Sequence, residues 1–191
     1  ALVGYLMASA IRRIQNKSKG KRYKSSAILH ANVDKDNHDW QNRLIRFMIG
    51  QLREYFSGIS PNIQLDFIAD RIFSDYSESN QKAVDCGLVS VAMPSLMEIK
   101  EEIKEIFEED AVNIKTVNSD NDINALLDRE SGQLRLDAAV NIFIGGSILD
   151  RGITINNMLC FFYGRSPKKF QQDTVLQHAR FYGARDLEDM A

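Results

Sequence analysis

Cysteine is scarce in this chain. Only Cys86 and Cys160 occur, far apart and each among apolar neighbours, which excludes a disulfide framework and a cysteine-built metal site. A reducing, cytoplasmic setting follows as the default expectation. No Cys/His cluster has zinc spacing, so no metal is expected in this chain itself. No Gly-x-Ser-x-Gly elbow occurs, which removes the hydrolase type of serine nucleophile. Also missing are a GxxxxGK[ST] loop and an Asp-Glu pair after a strand, the parts that cradle nucleotide phosphates and hold magnesium. The apolar opening Ala1 to Ile11 is too short to cross a bilayer, and its basic residues follow the apolar run instead of preceding it. It is expected to be a buried helix, with no membrane partner. There is no repeat and no low-complexity tract.

Charge of one sign is lacking too: the net charge is −2 over 191 residues. The distribution says more than the sum. Residues 1 to 24 hold seven basic residues and no acid, whereas residues 98 to 110 hold seven acids and two lysines. With 44% hydrophobic and 26% charged residues, the chain is an ordinary globular composition, long enough to bury a core as one domain over 1–191.

Periodicity gives the elements. Residues 1 to 16 read as a helix with Leu2, Leu6, Ala10 and Ile14 on one face, followed by the basic stretch Lys17 to Lys24. Ser26 to Val33 is a β-type run, with His30 near its end. Trp40, Leu44, Phe47, Met48, Leu52 and Tyr55 recur at helical spacing and are expected to face the core, with Ser57-Gly58 ending the helix. A second helix covers Pro61 to Ser74, and the polar stretch Asp75 to Asn80 reads as a loop. Pro94 opens a third helix with Leu96, Ile99, Ile103 and Phe107 inward. Val112 to Val117 is a strand, and Asp120 to Arg129 a short helix. Helices alternating with strands predict an α/β fold with a parallel sheet covered by helices on both faces. Residues 57–95 exceed what one crossover needs and suggest a helical insertion.

The richest stretch is 141–185. An apolar run Asn141 to Ile144 breaks at Gly145 and Gly146, resumes as Gly152-Ile153-Thr154-Ile155, and a second run spans Met158 to Tyr163. Short apolar runs bounded by glycine read as buried strands with functional loops at their ends. A helix then follows from about Asp173, ending near Arg180 and Arg185. Glycines let a backbone approach a phosphate closely, and arginine offers a planar, permanently charged fork to a phosphoryl group. This stretch therefore predicts a phosphate-handling face.

The spacing Gly145-Gly146-x4-Arg151-Gly152-Ile153-Thr154, followed by Gln177-x2-Arg180-x2-Gly183-x-Arg185, resembles the fifth and sixth motifs of the second RecA-like domain of superfamily-two helicases. It is more closely similar to the Z-one domain of bacterial proteins described as restriction endonucleases, whose pattern Leu149, Arg165-Ser166 and Asp173-Thr174 also match. The resemblance implies a RecA-like sheet. It also implies an ATP-dependent role on DNA in a restriction or defence system, with ATP and magnesium held mainly by a P-loop domain absent from this chain. Arg180 and Arg185 would be the catalytic arginines reaching the γ-phosphate. Gly152, Thr154 and Gln177 would line the nucleotide cleft. Gly145, Gly146, Ser147, Arg151, Arg165, Lys168 and Lys169 would contact nucleic-acid phosphates.

The partners implied are DNA, an N-terminal P-loop domain of the same parent protein, and other restriction-system subunits. On that view the chain is a fragment of a longer protein and inactive alone. A different class of reading is a non-catalytic, degenerate RecA-like module that binds DNA or a partner subunit. His178, Ala179, Phe181, Tyr182 and Ala184, which depart from the Z-one pattern, support it. An intrinsic nuclease built on Glu98-Ile-Lys100 with Asp85 is disfavoured, because the Glu98-Ile-Lys100 triplet falls on a charged amphipathic helix and not on a strand beside a cleft.

Overall fold

The computed structural model describes residues 1–30, 35–128, 130, 132–145, 155–164 and 189. In chain order these form α1 (Leu2–Lys17), β1 (Ser25–His30), α2 (Lys35–Phe56), α3 (Ile63–Asp85), α4 (Leu96–Glu108), β2 (Val112–Val117), α5 (Asp120–Leu126), β3 (Val140–Gly145) and β4 (Met158–Tyr163). The described strands make one sheet in the order β2-β3-β1-β4, every pair parallel. The α/β class is therefore as expected, with an all-parallel sheet consistent with a RecA-like fold. The two central strands, β1 and β3, are buried along nearly their whole length, as a sheet covered on both faces requires.

Alternation along the strands separates two cores. Ala27, Ile114, Ile142 and Ile144 point to one face, where they meet α1, α2, α3 and α4. Ile28, Val117 and Phe143 point to the other, where Ile123 and Leu126 of α5 cover them together with Leu134 and Ile155. Between β1 and β2 lie three helices, α2 to α4, where a parallel crossover needs only one.

Helix α1 is buried almost all round, from Val3 through Arg12. Its polar side chains are satisfied locally: the Tyr5 hydroxyl donates to the Asn141 carbonyl at 2.9 Å, and Ser9 and Ser25 share a bond of 2.7 Å. Burial pushes the Tyr5 hydroxyl far above its ordinary pKa, so it stays protonated as a donor. Helix α4 starts one residue after its cap Ser95, whose hydroxyl accepts from the Glu98 N–H while the Glu98 carboxylate accepts from the Ser95 N–H, a capping box.

Two expectations are corrected here. The stretch Asp75 to Asn80 is helical, because α3 runs unbroken to Asp85. No glycine or proline interrupts it, and the Tyr76 hydroxyl donates to the Gly4 carbonyl of α1 at 3.2 Å. Helix α2 is also rotated from the expected orientation. Ile45, Ile49, Leu52 and Phe56 are its buried stripe, while Trp40, Leu44, Phe47 and Met48 are exposed.

The cause of that rotation is a ladder of polar contacts. His38, Asn42 and Arg46 stand one turn apart on α2, and meet Asn118, Thr116 and the Ile114 carbonyl, which step by two along β2 and beyond its end. Four helical residues rise about 6 Å and two strand residues about 6.7 Å, so the two rows stay in register.

Candidate functional site

All four described strands end at one level. His30 of β1 pairs with Gly145 of β3 and with Tyr163 of β4, and Gly145 pairs with Val117 of β2. The connection from β1 to β2 passes across β3, and that from β3 to β4 passes across β1. Neighbouring strands thus send the chain in opposite directions, the arrangement at which open parallel sheets hold ligands beyond their carboxyl ends.

Gly145, the predicted start of the glycine loop, is the buried last residue of β3. Beyond β4, the Gly164 N–H donates to the His30 carbonyl at 2.9 Å. A β-carbon at Gly164 would stand 3.2 Å from the Phe162 ring and 3.6 Å from that carbonyl, so the close approach suits glycine. The chain therefore leaves β3 and β4 on the two sides of the end of β1. Of the other predicted site residues, Gly146, Ser147, Arg151, Gly152, Thr154, Arg165, Lys168, Lys169, Gln177, Arg180 and Arg185 lie outside the described residues.

Neither His30 nor His38 stands open to a cleft. His30 is 1% exposed, with its ring 6.4 Å from that of Phe161. It belongs to the packing beneath the strand ends. His38 is buried against Asn118 and fastens the start of α2.

Beside the same edge, on the opposite face from His30, sits a cavity of about 280 Å³ that sequence reasoning did not anticipate. Its walls include Leu2 and Tyr5 of α1, Leu29 of β1, Trp40, Gln41, Leu44 and Met48 of α2, and Cys160 and Phe162 of β4. The lining is almost wholly apolar. Burial pushes the Cys160 thiol above its ordinary pKa. The amide oxygen of Gln41 has no hydrogen-bond partner among the described residues. The helical period of α2 was the available signal, but it could not say which stripe faces the sheet.

The basic stretch 17–24 lies at the other end of the sheet, since it leads directly into Ser25 at the start of β1. Lys17 is bound to Glu102 and Glu105, and Lys24 donates to the Leu136 carbonyl. With Glu109, Asp110 and Asp137 in the same wide depression, the surface there is mixed in sign. Glu98 and Lys100 are engaged in holding α4, the first in its capping box and the second on Asp66 at 3.1 Å. Among the described residues no group of three His, Cys, Asp or Glu side chains is arranged to hold a metal ion. No helix among them is long and apolar enough to cross a membrane.

A model of the Z1 domain family matches residues 1–190, extending well before the motif stretch 141–185 to take in α1. No curated protein matches the chain, and no solved structure does.

Proposed function

The chain belongs to the Z1 domain family, and from that premise we propose that it is the second RecA-like domain of an ATP-dependent, helicase-like protein acting on DNA in a restriction or defence system. The observation that carries the proposal is the common level of the strand ends. Gly145, where the glycine- and arginine-containing segment begins, and Gly164, just before Arg165, Lys168 and Lys169, flank the last residue of β1. Two segments that the helicase resemblance assigns to nucleic-acid phosphates therefore start at one edge of the sheet.

The division of labour follows from the residue types. Without a GxxxxGK[ST] loop, this chain leaves the phosphates of ATP and its magnesium to another domain of the parent protein. Magnesium supplies charge neutralisation at the transferring phosphoryl group. Arg180 and Arg185 would face that group across the domain interface and stabilise its developing charge. Gln177 would orient them. Gly152 and Thr154 would line the cleft. Gly146, Ser147 and Arg151 would grip the DNA backbone, a contact that gives affinity without sequence readout.

The test for the DNA half uses this chain with a single-stranded oligonucleotide. Affinity should fall steeply with salt, and Arg151→Ala and Lys168→Ala should each weaken binding uniformly across sequences and reduce the salt slope by about one. Binding that ignores salt, or slopes untouched by both substitutions, would remove these residues from the DNA surface. The competing reading, a module that binds DNA and no longer serves ATP, draws on the substitutions around Ala179. It differs in leaving Arg180 without a role in turnover.

A further inference from the structure

We infer that the apolar cavity between α1, α2 and the β1–β4 edge receives an unpaired nucleobase of the bound strand. The inference rests on the nucleic-acid reading of the neighbouring strand ends and extends it from phosphate contacts to a base site.

Trp40 is the chain's single tryptophan. Although it sits on an amphipathic helix whose next face is core, 56% of it remains exposed at the cavity wall. Across the cavity Phe162, on the outermost of the described strands, is 51% exposed. Two accessible aromatic rings on one apolar hollow suit a flat heterocycle, since every base has a π-face and stacking tolerates any sequence.

Position is the second observation. Leu29 and Phe162 each precede by one residue the strand-end pair His30 and Tyr163. The cavity is thus adjacent to the edge from which the glycine segment and the basic segment depart. A strand whose phosphates lie along that edge has a base within reach of Trp40, and the cavity's small volume of about 280 Å³ admits one ring system, not a duplex.

The experiment is a titration of the chain with a single-stranded oligonucleotide, reading anisotropy of a labelled strand together with the emission of Trp40. A backbone of the same length without bases is titrated in parallel. Stacking should quench Trp40 with the normal strand and leave it unchanged with the abasic one, which should bind about five- to a hundredfold more weakly. Trp40→Ala should weaken the normal strand by a similar factor and leave the abasic strand unaffected, while Trp40→Phe should retain most of the affinity. As Trp40 is largely exposed, its replacement should not unfold the chain.

Normal and abasic strands binding equally, with emission unchanged, would overturn the base site and leave the phosphate contacts standing. The cavity would then belong to an apolar contact such as a polypeptide segment. No binding of either strand would overturn the nucleic-acid reading, and this inference with it.

Discussion

At the scale of single residues, the environment of a side chain separates chemically identical groups. Cys86 is exposed, whereas Cys160 is partly buried in the cavity wall and its thiol is held above the ordinary pKa by desolvation. Because the thiolate is the nucleophile, raising the pKa lowers the reactive fraction at any pH below it. Alkylation followed by mass spectrometry at pH 8 should therefore modify the exposed Cys86 well before Cys160, whose rate should still rise as the pH is taken higher. Equal rates at the two cysteines would mean that the cavity is open enough to hydrate the Cys160 thiolate. Sequence alone does not rank the two thiols. Only the fold distinguishes a helix C-cap such as Cys86 from a strand residue facing α1 and α2.

At the scale of elements, α1 and α4 are joined by a charge cluster. Glu102 is 4% exposed on its side chain and accepts from Arg13 and Lys17, each at 2.6 Å. Removing the carboxylate leaves the largely buried Arg13 guanidinium without its near partner. Glu102→Ala should cost about 3 kcal/mol in urea denaturation, whereas loss of the exposed Glu78–Lys82 pair should change little. A cost for Glu102→Ala no greater than that of the surface pair would show that water reaches the cluster.

The elements themselves are largely legible in the sequence. The helix at 1–16, the strands at 112–117 and 158–163, and the parallel α/β class follow from period and glycine placement, which are local properties. The orientation of α2 does not, because that helix carries two apolar stripes. The ladder of His38, Asn42 and Arg46 against β2 decides between them, and such contacts join residues 68 to 80 positions apart. The length of α3 escapes the sequence for a related reason. Its polar stretch is exposed helix held by Tyr76 on α1, and polarity alone does not distinguish exposed helix from loop.

At the scale of the whole molecule, the sheet presents one carboxyl edge with two kinds of surface. Over the strand ends lie the starting points of the glycine and basic segments. On the adjoining face lies the apolar cavity. At the opposite edge, Asp189 is held by Arg12 at 2.6 Å and by the Tyr23 hydroxyl at 2.9 Å. This anchors the chain beyond the predicted arginine helix to α1. The candidate site is legible in the amino-acid sequence as a motif, since Gly145, Arg151, Arg180 and Arg185 stand at recognisable spacings. Its geometry is legible only as far as Gly145, because spacing names residues but does not place them relative to a nucleotide.

The most direct test of the central claim is the DNA-stimulated ATPase turnover of the full-length parent protein, wild type against Arg180→Ala, with nucleotide binding measured alongside. The account predicts a loss of roughly a hundredfold or more in turnover with nucleotide binding retained, as for an arginine that acts on the transferring phosphoryl group. Unchanged turnover in Arg180→Ala would contradict it and make the domain a binding module.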